Sequence, residues 1–326
     1  MRDVADAAGV SLMTVSRALR EPHRLSESTR TRVLEAVQRL GYVPNHMAAN
    51  LASSRSTVVG QIVPGIENSL YAKTVKGTSD VLRAEGLHLL VGNSGYSLLE
   101  EEALIGAFLA QRVCGLILHN TDHTPGALQM LQRARIPVVE TGDLPARPID
   151  MAVSYSNFEA ARTMTLHLAE RGYRHIGLVS LDTTINRRAA ERQRGYLAAL
   201  QSLGRRHDPL LMSEVPPGMT SGARAMVDIV MRQPEVDAIF FSGDVLALGA
   251  LFEAQRRGWA VPGRLAIASF DDLSIMKHTV PRMTCLRLPR REIGMRSAEA
   301  LLQRMRGSTE PVRLDLGFEL SVREST

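Results

Sequence analysis

The sequence contains only two cysteines, Cys114 and Cys285, which lie far apart in apolar surroundings. So few cysteines exclude a disulfide-rich secreted scaffold and fit a reducing compartment with both thiols free. No run of about 18 apolar residues occurs, which excludes a transmembrane helix. The first residues, MRDVADAAG, carry acidic side chains and lack the apolar core of a signal peptide. We therefore expect a cytoplasmic chain.

The motifs of the common cofactor-binding and nucleophilic enzymes are also missing, because no GxGxxG, GxxxxGK[ST] or GxSxG occurs. His119 and His123 lie four residues apart beside Asp122, a spacing that on a helix would suggest a metal. They follow a predicted strand as a loop, without an evident third ligand, so we predict neither a metal nor a cofactor. Asp271 and Asp272 form a carboxylate pair but lack a nucleophile partner. The sequence therefore favours a protein that is not an enzyme.

Length and charge point to several domains, one of which is basic. The chain has 326 residues, which is too long for one ordinary hydrophobic core. Of these residues 44% are hydrophobic and 22% are charged, as in a typical globular protein. The net charge is +5, and the first 56 residues hold eight arginines and five acidic residues, a local charge of +3. This asymmetry is typical of a chain end that contacts a polyanion, although a solvated basic surface is the alternative.

The opening segment has the pattern of three short helices. Gly9 ends a helix over residues 2–8. Ser11 can cap a second helix over residues 12–20, and Ser26 can cap a third that ends at Gly41. Two short helices joined by a glycine-containing turn and braced by a third are typical of a helix-turn-helix.

The second helix carries the side chains that we predict to read DNA. Val15 and Leu19 face inward, so Arg17 is left on the outer face, where it can contact a guanine edge in the major groove. A generic three-helix bundle with an exposed arginine is the alternative. We also predict that Leu12 and Met13 make apolar contacts to thymine methyl groups. The hydroxyls of Thr14 and Ser16 are predicted to contact phosphates.

Two longer runs carry a resemblance to a known family. DVADAAGVSLMTVSRALR lies near the start of the chain, and GYVPNHMAANLAS follows the third helix. Both resemble the opening of LacI/GalR-family bacterial transcription repressors at the family spacing, and the resemblance extends over the whole chain. It implies a homodimer or tetramer that binds double-stranded DNA at a palindromic operator, under the control of a small effector.

The link over residues 45–57 is predicted to be a hinge. Its eight or so helix-compatible residues are too few for a stable helix in water, so we expect it to fold on DNA. In the resembling family, the hinge helices of two subunits pair in the minor groove. The resemblance implies contacts from Asn45, Ala48 and Leu51, with Leu51 as the wedge that partly unstacks the central base step. A flexible tether is the alternative.

From residue 58 onward, strand-like apolar runs such as VVGQIV and CGLILHN alternate with amphipathic helices, which predicts parallel sheets covered by helices. RLDLGFEL reads as a single closing strand. The resemblance implies a two-lobed, periplasmic-binding-protein-like α/β body that follows an all-α headpiece. We predict a headpiece over 1–44, a hinge over 45–57, an N-terminal lobe over 58–157 and 289–318, and a C-terminal lobe over 158–288 and 319–326.

Ligands of open α/β sheets bind beyond the carboxyl ends of the strands, so we expect the effector between the lobes. Carboxylates accept polyol hydroxyls, aromatic rings stack on a sugar face, and an arginine pair binds a carboxylate through its planar forks. By resemblance, Arg192 and Asp271 match effector-contacting positions of the family. The predicted effector residues are Tyr71, Tyr96, Glu140, Arg188, Arg192 and Asp271.

The effector class rests on further comparison within the resembling family. Gly243 stands where many sugar-sensing members have asparagine, and EVPPGMTSG lacks an aromatic residue that many have. VSYSNFEAARTMT and LDLGFELS resemble gluconate-operon repressors. We therefore expect a sugar acid, namely gluconate or a keto or phospho derivative. A neutral sugar or purine is the alternative, and a sugar-modifying α/β enzyme with a basic appendage is a more distant one.

Overall fold

The computed structural model describes residues 1–20, 24–42, 56–66 and 69–326. The chain divides into two compact units, residues 1–56 and 57–326. The predicted hinge contacts Asn45, Ala48 and Leu51 lie outside the described residues. Among the helices that are described, none is both long enough and apolar enough to cross a membrane.

The first unit contains the three predicted helices, namely α1 (Arg2–Ala8), α2 (Leu12–Arg20) and α3 (Glu27–Arg39). Gly9 ends α1 with φ 61°, a left-handed conformation that glycine adopts without steric cost. The Ser11 hydroxyl accepts a hydrogen bond from the Thr14 amide at 3.2 Å, and Ser26 caps α3 in the same way through the Thr29 amide. The sequence prediction of an all-α headpiece is confirmed.

The core of this unit is small and built from short side chains. Val4, Val15 and Val33 are fully buried, and Ala18 contributes a further inward position on α2. Leu19 is only partly buried against this cluster. The inner face of α2 is therefore centred between Val15 and Ala18, and Leu12, Met13 and Arg17 are exposed to solvent.

The second unit begins with a sheet, which together with the helices that cover it we call the first lobe. Its strand order is β11-β5-β4-β3-β1-β2, and all of its strand pairs are parallel. Its elements up to β5 are β1 (Val58–Val63), α4 (Ser69–Ala84), β2 (His88–Asn93), α5 (Leu98–Ala110), β3 (Leu116–Leu118), α6 (Pro125–Ala134), β4 (Val138–Glu140) and β5 (Met151–Ser154).

A second sheet follows, and we call it the second lobe. Its strand order is β12-β10-β9-β8-β6-β7, in which only the β10–β12 pair is antiparallel. The remaining elements are α7 (Asn157–Glu170), β6 (Ile176–Ser180), α8 (Arg187–Ser202), β7 (Met212–Glu214), α9 (Met219–Arg232), β8 (Ala238–Phe241), α10 (Asp244–Arg256), β9 (Ala266–Phe270), β10 (Thr284–Arg287), α11 (Arg290–Met305), β11 (Val312–Asp315) and β12 (Glu319–Ser321).

The chain passes between the lobes after β5, after β10 and after β11. The prediction of a single closing strand in RLDLGFEL is wrong, because β11 pairs with β5 in the first lobe and β12 pairs with β10 in the second. The turn between them has a local cause. Gly317 takes φ 65°, its amide donates to the Asp315 carboxylate at 2.9 Å, and Leu316 packs against the cores of both lobes.

Two glycines bring α4 and α11 together closely. A Cβ on Gly77 would lie 2.1 Å from the Arg291 carbonyl oxygen, and one on Gly294 would lie 2.0 Å from the Thr74 carbonyl oxygen. Only glycine permits this approach. As a result, the first turns of the two helices are neighbours, and the Arg290 guanidinium carbon lies 5.8 Å from the centre of the Tyr71 ring.

Candidate functional site

Helix α2 presents the surface that the sequence predicted. Leu12 and Met13 are 47% and 64% exposed, and Arg17 is also exposed, whereas Val15 on the opposite face is fully buried. Thr14 and Ser16 are half-buried. The outer face of α2 therefore exposes apolar side chains at its start and an arginine one turn later, as expected of a helix that enters a groove.

A cavity lies between the two lobes, and side chains from both of them line it. Five of the six predicted effector residues line it. They are Tyr71 and Tyr96 from the first lobe, and Arg188, Arg192 and Asp271 from the second. Glu140 is the exception.

The two tyrosines form the wall of the cavity on the first-lobe side. Their hydroxyl oxygens are 3.4 Å apart, and the Tyr71 ring meets the edge of the His119 ring with centroids 4.9 Å apart. Burial, followed by the neighbouring Tyr96, raises the pKa of Tyr71, so this phenol stays neutral. Tyr96 has φ 65°, a conformation that is uncommon outside glycine and that is often found at ligand sites.

Helix α8 supplies the first two arginines. The Asn186 side chain caps it by accepting from the Ala189 amide at 3.2 Å, and Arg188 and Arg192, four residues apart, share one face. Both are buried, with exposures of 8% and 9%, so neither is a surface helix charge. A Cβ on Gly195 would lie 2.2 Å from the Phe158 carbonyl oxygen, so α8 packs closely on α7 and its orientation is fixed.

Arg188 connects the two lobes. Its Nη1 donates to the His119 carbonyl at 2.6 Å and to the Asn120 side-chain oxygen at 2.9 Å, both in the first lobe. Burial, followed by repulsion from Arg188, lowers the pKa of His119 well below its usual value, so His119 is neutral. The loop after β3 is thus held by an arginine from the opposite lobe.

Arg192 is held rigidly within the second lobe. Its Nε donates to the Asn157 side chain at 2.8 Å, and its Nη1 donates to the Ser242 carbonyl. The guanidinium carbon lies 3.5 Å from the centre of the Phe270 ring, which is a stacked arrangement. These contacts fix the plane of the guanidinium at the cavity wall.

Asp271 is paired with a third arginine that the sequence reasoning missed. Arg290 Nε and Nη2 donate to Oδ1 at 3.1 and 2.7 Å, and Nη2 donates to Oδ2 at 2.6 Å. Both side chains are nearly fully buried. One signal could have identified Arg290, because a cation at the start of a helix opposes the helix dipole and needs a local anion. The adjacent Asp272 pairs with Arg323 instead, at 2.7 Å.

The structure corrects the prediction for Glu140, which does not line the cavity. Its Oε2 accepts from the Ile149 amide at 2.5 Å, and its Oε1 lies 3.6 Å from His123 Nε2. The carboxylate is buried, and these neighbours draw it away from the cleft.

His123 lies between two carboxylates and connects them to the cleft. Its Nδ1 is 2.6 Å from Glu101 Oε1, and the other Glu101 oxygen accepts from the Asn120 amide at 2.6 Å. Burial alone would lower the pKa of His123, but hydrogen bonds and attraction from Glu101 and Glu140 raise it to about 9. A continuous chain of contacts therefore runs from Glu140 through His123, Glu101 and Asn120 to Arg188.

Comparison with known proteins identifies the class of the chain. Residues 1–45 match the bacterial regulatory proteins of the lacI family, and residues 165–326 match the periplasmic binding protein-like domain. A transcriptional regulator named GntR from Pseudomonas aeruginosa is 39% identical, with 100% of this chain and 95% of the relative covered. A regulator of the same name from Escherichia coli K12 is 37% identical, with 98% and 96% covered.

A solved structure agrees with these sequence relatives. A LacI-family transcriptional regulator from Silicibacter pomeroyi superposes with a TM-score of 0.89 at 31% identity, covering 99% of this chain and 98% of that one. The chain belongs to the LacI family of DNA-binding transcription regulators. Its relatives are regulators, and the two-lobed body is accordingly a regulatory domain and not an enzyme.

Proposed function

We propose that this regulator is a repressor whose affinity for a palindromic operator is set by a sugar acid bound between the lobes. The observation that carries the proposal is the charge of the cleft, because His119 is neutral and the arginines outnumber the aspartates by one. A single excess positive charge suits a monoanion better than a neutral sugar or a purine. The charged residues of the lining are Arg188, Arg192, Arg290, Asp244 and Asp271.

The proposed ligand is gluconate or a keto derivative of it, both of which are monoanions, whereas a phospho derivative carries more negative charge than the single excess arginine balances. Tyr71 and Tyr96 offer ring faces and hydroxyls to the polyol portion from the first lobe, and the arginines of α8 face them from the second. The resemblance of the sequence to gluconate-operon repressors supports the same class.

The proposed DNA contacts come from α2 and from the hinge. Arg17 reads a guanine edge, Leu12 and Met13 contact thymine methyl groups, and Thr14 and Ser16 hold phosphates. Two copies of the chain, acting in the cytoplasm, place one α2 on each half-site of the palindrome. The hinge residues 45–57 then pair in the minor groove between the half-sites.

Effector and operator are connected through the relative position of the lobes. An effector that contacts Arg188 and Arg192 on one side and Tyr71 on the other stabilises one arrangement of the lobes over others. In a dimer, that arrangement sets the distance between the two hinges. A coupling free energy of about 1–3 kcal/mol would change operator affinity about 5- to 150-fold.

Two measurements test the proposal. Titration calorimetry should show heat with gluconate or its keto derivatives and none with glucose or purines. Gel shifts on DNA from upstream of the regulator's own gene should show binding that these acids change. Heat with a neutral sugar or a purine alone would replace the sugar acid as effector, and the absence of a preference for any palindrome over random duplex would overturn the repressor role.

A further inference from the structure

The acceptor capacity of Asp271 is largely used within the protein. Of the roughly four lone-pair positions of a carboxylate, three accept hydrogen bonds from Arg290. A carboxylate at this point of a sugar site would ordinarily accept two hydroxyls of a polyol. Here it has one position left, so its contribution to binding a neutral sugar is small.

Arg290 is held in place for this pairing. The Tyr71 and Tyr155 ring centres lie 5.8 and 5.6 Å from its guanidinium carbon, and the side chain is 5% exposed. The Gly77–Gly294 crossing fixes the helix on which it stands. Its Nη1 is buried and has no hydrogen-bond acceptor among the residues that the structure describes. Because Nε and Nη2 both donate to the Asp271 carboxylate, Arg290 acts on the effector site through its pairing with Asp271.

Without Arg290, the cavity would lose its preference for an anionic ligand. The lining would then hold two arginines and two aspartates, with no net charge and with a free carboxylate at Asp271. A like charge that faces a ligand carboxylate in a partly desolvated site weakens its binding. A free Asp271 would repel an acid and accept the hydroxyls of a neutral polyol.

We infer that Arg290 determines the charge specificity of the effector site by neutralising Asp271 and occupying its oxygens, so that the cleft accepts a monoanionic sugar acid and discriminates against its neutral counterpart. This inference rests on the proposed function. It assigns the selectivity to a residue on α11, whereas the sequence placed recognition on the arginines of α8.

The test compares gluconate with glucitol, which has the same carbon chain without the carboxylate, by calorimetry on the full-length protein. The wild type should bind gluconate more tightly. In Arg290→Gln the ratio of the two dissociation constants should shift toward glucitol by about tenfold or more, because Asp271 then repels the acid. In the double variant Asp271→Asn/Arg290→Gln the net charge of the lining returns to +1, and the preference for gluconate should return with it.

Arg291→Gln is the matched control. Arg291 adjoins Arg290 on α11, but it is 63% exposed and pairs with Asp80 at 3.0 Å on the surface. Its removal should leave the ratio of the dissociation constants unchanged.

Stability is checked by thermal unfolding of each variant. Removing one partner of a buried ion pair can prevent folding, whereas removing both is often neutral. If Arg290→Gln does not fold, the double variant carries the test. Its preference for gluconate should stay within about threefold of the wild type, because removing both members of the ion pair leaves the net charge of the lining unchanged. Loss of the preference in the double variant would mean that the acid contacts this pair directly, and the inference would be overturned.

The proposed effector class and the role of Arg290 can fail separately. If the wild type binds glucitol and not gluconate, or neither, both the sugar-acid proposal and this inference fall. If the wild type prefers gluconate and a folded Arg290→Gln keeps the same ratio, only the role of Arg290 falls.

Discussion

At the scale of single residues, the cleft illustrates how buried charge is made tolerable. A buried arginine needs partners, because the cost of removing its charge from water exceeds any single contact. Arg192 has three such partners, namely the Asn157 side chain, the Ser242 carbonyl and the face of Phe270. Its geometry is therefore set before any ligand arrives, which lowers the entropic cost of binding.

This rigidity leads to a prediction for Arg192. Arg192→Lys keeps the charge but loses the stacking on Phe270 and one of the two hydrogen bonds, so effector affinity should fall by about tenfold or more. Operator affinity without effector should stay unchanged, because the residue lies in the cleft of the two-lobed body. Calorimetry and fluorescence anisotropy measure the two affinities, and an unchanged effector response in this variant would remove Arg192 from the site.

A second prediction concerns Arg17. Arg17→Ala should weaken binding to the operator by about 1–3 kcal/mol while leaving weak binding to random duplex largely intact, because a base contact specifies and a phosphate contact does not. Arg17→Lys is the matched control, since it keeps the positive charge and loses the bidentate fork. Anisotropy titrations on both duplexes at equal salt make the comparison. A uniform loss on all DNA would instead assign Arg17 to the phosphates.

Residue chemistry and the family resemblance together placed much of the cleft but not all of it. Arg188 and Arg192 are recognisable because they precede an RGY run on a helix that starts just after a strand. Arg290 is harder to recognise, since its partner lies 19 residues earlier in the sequence and only the crossing of α4 and α11 brings it to the cavity. Glu140 ends a strand as predicted, yet its direction depends on His123 and Ile149, which no local pattern reveals.

At the scale of elements, the loop after β3 makes contacts both with the cleft and with the interior of the first lobe. Arg188 contacts it at His119 and Asn120, and His123 anchors its far end between two buried carboxylates. A loop fixed at both ends can transmit a shift of Arg188 to α5, on which Glu101 stands.

The His123 anchor gives a pH prediction. Its pKa is raised from 6.5 to about 9 in the folded protein, so its stabilising contribution is fully present below pH 6.5 and is lost as pH rises through about 9. The shift corresponds to a contribution on the order of 3 kcal/mol. Urea unfolding of the wild type should show stability falling between pH 7 and 10. His123→Gln should lack this dependence, and an equally steep fall in both proteins would contradict the assignment.

The order of helices and strands was largely predictable, because buried parallel strands are continuous apolar runs and several of the helices between them are amphipathic. The closing segment was not. β11 is short and largely exposed, and β12 is short and mostly half-buried. Each joins a different sheet through a partner far away in the sequence, Met151 for β11 and Cys285 for β12. Local pattern shows that such residues are extended, but the choice of sheet is a long-range property.

At the scale of the whole molecule, three passages of the chain join the lobes, and a few side chains cross the cleft between them. Arg188 makes buried contacts across it, and Arg187 pairs with Asp122 across its exposed rim at 3.0 Å. Buried charged hydrogen bonds contribute more than exposed ion pairs, because water does not screen them. The relative position of the lobes should therefore depend on the Arg188–Asn120 contact more than on the rim.

The last prediction follows from this difference and from linkage. The factor by which effector changes operator affinity must equal the factor by which operator changes effector affinity. Asn120→Ala removes the side chain that joins Arg188 to Glu101, so both ligands should still bind while the common factor falls toward one. Asp122→Ala is the control, because an exposed ion pair contributes about 0–1 kcal/mol and the factor should persist. Both affinities are measured with and without the other ligand. A factor that survives in Asn120→Ala would show that the lobes communicate by another route, through the three chain passages themselves.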